Sequence, residues 1–263
     1  MTDPHASVTA VVLAGGGAAD RVASSAGVAA KALVPLDGAP MAAYVLSALR
    51  DSGVIGRVIY VGPSDPGVRP LVDHVVPAGL RMVDSLAMGL GTGLALGEPE
   101  ERLLIVTADI PWWRAEGVRG YLTEAPDVDL VYPVVAAETA NAAFPQQRRT
   151  FVKLRDGRFT GGNAVLLKPG VVTALLPLMD KAFAARKAPW RLAALVGLDL
   201  VWALLTGRAS FERVEARVSR LLGAQARVFV SDDAGIATDI DEPSQLEPSA
   251  REGQPLAALR GHG

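Results

Sequence analysis

Short apolar runs alternate with stretches of helical periodicity along the first half of the chain. The runs at 8–14, 57–62 and 103–107 are rich in β-branched residues and predict buried strands. Helical spacing at 41–49 and 82–96 separates them. Weaker segments continue the series, with a strand at 74–77, a helix at 118–123 and a strand at 129–135. This order predicts a three-layer α/β/α fold, in which helices cover both faces of a mostly parallel mixed sheet.

The pattern changes after residue 148. Strands at 150–154 and 159–167 flank an Asp-Gly turn and predict a hairpin added to the sheet. Residues 170–222 predict three helices, and the chain then returns to strands at 227–230 and 235–240 and a closing helix at 243–247. The sequence thus predicts one domain over 1–247, with a C-terminal helical insert at about 170–222, and a flexible tail over 248–263.

Composition excludes several classes of function. The chain has 26 Lys and Arg against 28 Asp and Glu, so its net charge of -2 disfavours nucleic acid as a partner. It has no Cys, and of its 3 His two lie near the ends, which disfavours thiol and Ser-His-Asp catalysis. The start lacks a secretion signal. The most apolar stretch, residues 192–205, is too short for a membrane span and predicts a buried helix, so we expect a cytoplasmic protein.

Three glycines follow the first predicted strand. Gly15, Gly16 and Gly17 can turn the backbone sharply and present successive N–H groups to an anion, and Arg21 and Lys31 can add positive charge. This arrangement suits a triphosphate, although it matches neither the Walker P-loop nor the dinucleotide fingerprint. The alternative is an ordinary glycine turn at the end of a strand.

Carboxylates follow two other predicted strands. Asp109 comes directly after the strand 103–107, and strand alternation places Asp239 and Asp241 on one face at the end of 235–240. Because the carboxyl ends of parallel strands share one rim, two carboxylates, one from each of these strand ends, are suited to a Mg²⁺ ion that bridges phosphates. As alternatives, Asp109 caps a helix that begins near Trp112, and Asp241 caps the closing helix.

Three motifs in this order resemble a known family. Leu13-Ala-Gly-Gly with Arg21 and Lys31 resembles its nucleotide-binding signature, Ala108-Asp-Ile-Pro its metal-binding motif, and Asp241-Glu-Pro-Ser-Gln-Leu its closing segment. The family is that of nucleotidyltransferases with a molybdenum-cofactor guanylyltransferase-like (MobA-like) domain. The resemblance spans residues 8–167 and 226–247 and implies a Rossmann-like fold similar to that of nucleotide-diphospho-sugar transferases.

The resemblance also implies roles for individual residues. Nucleotide binding is carried over to Leu13, Ala14, Gly15, Gly16, Gly17, Arg21, Lys31 and Ser85. Catalysis is carried over to Arg21, Lys31 and Asp109, and Mg²⁺ ligation to Asp109 and Asp241. Acceptor binding is carried over to Lys153, Gly162 and Asn163. As alternatives, Ser85 belongs to an amphipathic core helix and Asn163 to a left-handed turn. The chain departs from the family at Asp20, which adds a negative charge near the phosphates and can pair with Arg21 or Lys31, a pairing that favours a catalytically silent module. Residues 22–30 are expected to form a loop that is longer than in the guanylyltransferase itself.

The expected activity is Mg²⁺-dependent transfer of a nucleoside monophosphate from an NTP, with GTP or CTP favoured, to a small phosphorylated acceptor, releasing pyrophosphate. A sugar-1-phosphate nucleotidyltransferase and a catalytically silent nucleotide-binding module are the alternatives. The helical insert has three interpretations: a lid that supplies cations to the acceptor, a partner surface such as that of a homodimer, or core tryptophans with the charges on a wetted face. The residues concerned are Trp190, Trp202 and the cations Lys181, Arg186, Lys187, Arg191 and Arg208.

Overall fold

The computed structural model describes residues 8–17, 19–185, 189–247 and 255–259. In chain order, the strands are β1 (Val8–Leu13), β2 (Pro35–Leu36), β3 (Ala39–Pro40), β4 (Ile55–Val61), β5 (His74–Val76), β6 (Leu103–Thr107), β7 (Leu130–Ala136), β8 (Val152–Leu154), β9 (Gly157–Gly161), β10 (Ala164–Leu167) and β11 (Ala226–Ser231). The helices are α1 (Arg21–Ala26), α2 (Met41–Asp51), α3 (Met82–Leu96), α4 (Ala115–Glu124), α5 (Ala137–Ala143), α6 (Val172–Ala185), α7 (Pro189–Val196), α8 (Leu198–Leu205) and α9 (Phe211–Leu222).

The predicted three-layer α/β architecture is confirmed. Within the described residues, nine strands form one sheet in the order β5-β4-β1-β6-β10-β7-β9-β8, and β11 pairs with β7. Strands β1, β4, β5 and β6 are parallel, whereas β10 lies antiparallel between β6 and β7. The parallel strands therefore end at one rim, and the strand β10 begins there.

Strand alternation divides the core between the two sheet faces. Val12 and Leu104 belong to one cluster of buried residues, and their neighbours Val11 and Ile105 to another. Helix α3 approaches the second face closely because it carries glycines. A Cβ at Gly89 would lie 2.5 Å from Val11 Cγ1, so only a residue without a side chain fits there.

Several sequence-based expectations about the second half are wrong. Residues 159–167 form two strands rather than one, since β10 leaves the β8–β9 hairpin and enters the sheet between β6 and β7. Residues 235–240 form a 3₁₀ turn followed by extended backbone rather than a strand. The closing helix is a single 3₁₀ turn, and 170–222 contains four helices, α6 to α9.

The apolar stretch at 192–205 is not one buried helix. It breaks at Gly197, whose φ of 91° favours glycine, and so forms two helices, α7 and α8. Trp190 and Trp202 are 71% and 66% exposed, which contradicts their interpretation as core residues. Of the cations assigned to this insert, Lys181 and Arg208 are exposed, and the side chains of residues 186, 187 and 191 lie outside the described part.

Part of the predicted tail packs on the domain. Ala257 is buried, and its backbone N–H donates a hydrogen bond of 2.8 Å to the carbonyl of Pro111. The remaining tail residues, 248–254 and 260–263, lie outside the described part of the chain. No helix among the described residues has the length and apolar character that a membrane crossing requires.

Candidate active site at the carboxyl ends of the parallel strands

An ammonium group joins carboxylates from the middle and the end of the chain. Lys31 Nζ lies 2.7 Å from Asp109 Oδ2 and 2.8 Å from Asp241 Oδ1. Lys31 begins a 3₁₀ turn after α1, and Asp109 follows β6. Asp241 follows the extended residues 238–240, which come after the 3₁₀ turn Ala234–Ala237. The structure thus brings together three residues that the sequence assigned to the site.

Asp239 is a third carboxylate of this cluster. One oxygen each from Asp109, Asp239 and Asp241 lie within 4.8 Å of one another. The convergence does not come from strand alternation, because residues 238–241 are not in a strand. Instead, the backbone N–H of Ile240 donates a hydrogen bond of 3.1 Å to the carbonyl of Asp109, while the Ile240 side chain is fully buried. The two flanking aspartates are thereby held beside Asp109.

The cluster perturbs its own ionisation. Burial and then the charges of Asp109 and Asp241 raise the pKa of Asp239 to about 6. Partial burial by itself would raise the pKa of Asp241, but the hydrogen bond and charge of Lys31 outweigh it, and the pKa lies below its usual range. Burial likewise disfavours the charged form of Lys31, yet the two carboxylates hold its pKa above the ordinary value. At neutral pH the cluster therefore carries a net negative charge.

The cluster is suited to a divalent cation. Asp109 Oδ1 is buried and has no hydrogen-bond partner among the described residues, although a buried carboxylate oxygen ordinarily has one. Oxygen ligands from one or two carboxylates are the set that Mg²⁺ prefers, with phosphate and water completing its octahedron. The residues present therefore fit the predicted Mg²⁺ site, and they add Asp239 to it.

The glycine loop lines a cleft beside this cluster. Gly15, Gly16 and Gly17, together with Ala30, line a cavity of about 540 Å³ at the ends of β1 and β4. A Cβ at Gly16 would lie 3.6 Å from Lys31 Cβ, so the loop directly adjoins the residue that bridges the carboxylates. Among the residues that the structure describes, none accepts a hydrogen bond from the three glycine N–H groups. These amides are available to an anion.

Leu13 and Ala14, which precede the glycine loop, and Ser85 hold the loop in place. The carbonyl of Leu13 accepts a hydrogen bond from Ala108, and the N–H of Ala14 donates one to Val61, which ties the loop to the neighbouring strands. Ser85, on the first turn of α3, accepts a hydrogen bond of 3.0 Å from Gly79. A Cβ at Gly15 would approach Ser85 Oγ to 3.2 Å. Ser85 is buried, as the core-helix alternative expects, and also adjoins the loop.

Both cap interpretations of the aspartates are wrong. Helix α4 begins at Ala115 after Arg114, and neither residue is bonded by the Asp109 carboxylate, which accepts from Lys31. The closing 3₁₀ turn is capped by Glu242, while the carboxylate of Asp241 also accepts from Lys31.

Asp20 does cap a helix, which corrects its predicted pairing with cations. Its Oδ1 accepts hydrogen bonds of 2.9 and 3.1 Å from the N–H groups of Val22 and Ala23. The segment between Arg21 and Lys31, expected as a loop, is largely helix α1. Arg21 is its first residue and is exposed, so the structure does not bring it into the ion pairs of the aspartate cluster.

The predicted acceptor residues occupy different places. The backbone of Asn163 links β6 to the 3₁₀ turn before the Asp239 segment. Its N–H donates a hydrogen bond of 2.8 Å to the carbonyl of Ile236, and its carbonyl accepts one of 3.1 Å from the N–H of Thr107. Asn163 is not left-handed, because Asp37 is the only non-glycine residue with positive φ in the described chain. Gly162 lies tightly against Pro133, where a Cβ would lie 3.0 Å from Pro133 Cγ. Lys153, on β8, takes no part in the ion pairs of the cluster.

Sequence reasoning missed Arg149. Its Nη2 donates to the hydroxyl of Thr238, and its guanidinium lies 5.2 Å from the ring centre of Phe144. Burial lowers the pKa of Arg149, and the charge of Asp239 partly opposes this. Arg149 therefore places a positive charge near Asp239, whereas the ion pairs of Lys31 are made with the other two aspartates of the cluster. Its position after α5 carries no motif that would have marked it.

The sequence profile of the MobA-like NTP transferase domain matches residues 10–188. The chain belongs to this family. A hypothetical transferase from Thermus thermophilus is 40% identical to it, covers 92% of this chain and 100% of its own, and superimposes with a TM-score of 0.83. The protein is thus a nucleotidyltransferase. It matches none of the curated protein sequences.

More distant structures share the fold of this family member. A CMP:2-keto-3-deoxy-manno-octonic acid synthetase complexed with CTP is 13% identical, with 94% of this chain and 98% of that chain covered and a TM-score of 0.57. A 2-C-methyl-D-erythritol 4-phosphate cytidylyltransferase, also from Thermus thermophilus, is 15% identical, with 90% and 94% covered and a TM-score of 0.50. Both agree with the fold class expected from the sequence.

Proposed function

We propose that this nucleotidyltransferase is Mg²⁺-dependent and transfers a nucleoside monophosphate from an NTP, with GTP or CTP favoured, to a small phosphorylated acceptor. The observation that carries the proposal is the convergence of Asp109, Asp239 and Asp241 on Lys31 beside the glycine loop. A cationic residue, free backbone amides and a carboxylate cluster at one rim are the parts that phosphoryl transfer needs.

The glycine loop and Lys31 bind the nucleotide. The N–H groups of Gly15 to Gly17 donate to the phosphates, and the base lies in the cleft towards Ser85. Asp109, Asp239 and Asp241 would hold Mg²⁺, which would supply positive charge to neutralise the phosphates and polarise the α-phosphorus. Lys31 bridges Asp109 and Asp241 beside the loop, so its ammonium group would lie close to phosphates bound there.

The reaction is an in-line displacement. An oxygen of the acceptor phosphate forms a bond to the α-phosphorus, the bond from that phosphorus to the bridging oxygen of the β-phosphate breaks, and pyrophosphate leaves. The second pKa of a phosphomonoester is about 6, so the acceptor is already an anion near neutral pH and no general base is required. Lys31 and the loop amides stabilise the charge that develops on the phosphates.

The structure removes one argument for the silent-module alternative. Asp20 is engaged by the backbone of α1, so its charge is directed to the helix N-terminus rather than to Lys31. Asp20 therefore does not compete with the phosphates for Lys31.

The test is pyrophosphate release. Each of the four NTPs is incubated with Mg²⁺ and a panel of phosphorylated acceptors, which includes sugar 1-phosphates. We expect release with one NTP and loss of it in Asp109→Asn and in the presence of a chelator. Asp127→Asn is the matched control, since Asp127 is an exposed aspartate that pairs with Lys168 at 2.8 Å. Nucleotide binding without release from any acceptor would favour the silent module.

A further inference from the structure

A cavity of about 490 Å³ lies between the sheet and its helical cover. Ile105 of β6, Val165 of β10 and Val228 of β11 contribute to its floor, and Leu178 of α6 and Val218 of α9 to its roof. The mechanism proposed above does not use this space, which lies on the sheet face opposite to the core of α2 and α4.

The size and lining of the cavity are those of a ligand site. Protein interiors are closely packed and contain few voids larger than a water molecule, whereas ligand pockets measure about 300 to 1000 Å³. The lining side chains are mostly aliphatic or aromatic, and Met82 and Met179 add flexible thioethers that adapt to irregular apolar ligands. An apolar molecule, or an apolar part of one, is the occupant that this lining favours.

One end of the cavity reaches the catalytic rim. Leu13, which lines it, comes directly before the Ala14-Gly15 loop, and Thr107 lies two residues before Asp109. The Thr107 hydroxyl is buried and has no hydrogen-bond partner among the described residues. Asn163 lines the same end and bonds the backbone of Thr107. Polar groups are thus placed where the apolar space meets the aspartate cluster.

We infer that the cavity binds the hydrocarbon portion of an amphiphilic phosphorylated acceptor, whose phosphate lies at the catalytic rim near Thr107 and Asn163. The inference rests on the proposed function and specifies its acceptor as a lipid-like monophosphate. A sugar phosphate would place hydroxyl groups against aliphatic side chains, and burying hydroxyls without partners is unfavourable.

The first experiment is a chain-length series. The dissociation constants of n-alkyl monophosphates, from ethyl to dodecyl, are measured by calorimetry on the full chain with Mg²⁺ present. Each methylene buried in an apolar site strengthens binding about fourfold, so affinity should rise steeply and level off once the cavity is filled.

The second experiment fills the cavity. Leu178→Trp on α6 and Val218→Trp on α9 should each weaken octyl phosphate binding about tenfold or more, because each displaces the space of several methylenes. Thr173→Trp and Ala216→Trp are matched controls at exposed positions of the same two helices, and should leave this binding within about twofold. Use of two cavity variants keeps the test valid if one of them fails to fold.

Two results would overturn the inference. Affinity that does not depend on chain length, or cavity variants that bind octyl phosphate as tightly as the native protein, would mean that the cavity does not receive the hydrocarbon. Parallel weakening of NTP and alkyl phosphate binding would assign the cavity to the nucleobase instead. The proposed function is judged separately by pyrophosphate release, so release with polar acceptors alone would refute this inference and leave that function standing.

Discussion

The backbone N–H of Ile240 lies 3.1 Å from the carbonyl oxygen of Asp109, across 131 positions of sequence. This hydrogen bond joins the end of β6 to the segment that carries Asp239 and Asp241. This bond explains why the carboxylates of an extended segment outside the sheet lie beside Asp109, at the carboxyl ends of the parallel strands. The geometry of the cluster therefore depends on backbone pairing, and Lys31 then neutralises part of the charge gathered there.

Removal of the ammonium group should impair catalysis. Lys31→Met is expected to lower kcat for pyrophosphate release by about 100- to 1000-fold, the range seen when one preorganised charge-stabilising donor is lost. Lys168→Met is the control, because Lys168 forms its ion pair with exposed Asp127. A Lys31→Met enzyme with native kcat would contradict the role given to this residue.

The raised pKa of Asp239 predicts a pH-dependent stability difference. With its folded-state pKa at about 6 and its ordinary value at 3.8, the folded protein binds more protons than the unfolded chain between these values. This group therefore destabilises the metal-free protein fully above about pH 6, and the effect fades as the pH falls towards the ordinary value.

We expect Asp239→Asn to raise the free energy of unfolding by about 1 to 2 kcal/mol near pH 7 in the presence of a chelator, and by little near pH 4. Urea denaturation at several pH values measures this difference. Asp232→Asn, at an exposed position, serves as the control. A gain that is the same at every pH would show that desolvated charge is not its cause.

The glycine loop offers a matched pair of substitutions. A Cβ at Gly15 would lie 2.9 Å from Ala78 Cβ and close to Ser85 Oγ, whereas a Cβ at Gly17 would meet nothing within 4 Å. Gly15→Ala should lower the free energy of unfolding by about 1 to 3 kcal/mol, because the crowded backbone must shift. Gly17→Ala should change it by less than about 0.5 kcal/mol. Thermal or urea denaturation of the two variants distinguishes these expectations, and equal stabilities would contradict them.

Helix α3 offers a second pair, remote from the cluster. Gly89→Ala is expected to destabilise the protein by about 1 to 3 kcal/mol, since a methyl group would lie 2.5 Å from Val11 Cγ1 and 2.7 Å from Val61 Cγ2. Gly91 has open space around it, so Gly91→Ala should stabilise by about 0.5 to 1 kcal/mol through helix propensity alone. Opposite signs in urea denaturation are the expected outcome. A similar loss of stability in both variants would contradict the explanation that close packing of α3 on β1 causes the effect of Gly89→Ala.

Local patterns predicted the first half of the fold well. Apolar β-branched runs mark β1, β4 and β6, and helical spacing marks α2 and α3, because each of these elements buries a face that its own sequence reveals. The β9–β10 boundary was missed although Gly162-Asn163 was noted as a turn candidate, because the place of β10 depends on pairing with β6 and β7, which lie far away in the sequence.

The residues of the candidate site were likewise only partly predictable. Lys31, Asp109 and Asp241 carried motif signals, whereas Asp239 was noted only as sharing a strand face with Asp241, and Arg149 was not noted at all. The hydrogen-bond partners of Asp20 were also not predictable, because its carboxylate accepts from the backbone of α1, a helix in a segment that was expected to be a loop.

By itself, the sequence determined the alternation of strands and helices, the glycine loop and the chemical types of the site residues, because periodicity and residue identity are local properties of the chain. Only the tertiary structure decided which carboxylates meet at Lys31, that β10 inserts antiparallel between β6 and β7, and that an apolar cavity adjoins the rim. These features arise from contacts between distant segments, whose pairing is set by the packing of the whole sheet and its helices.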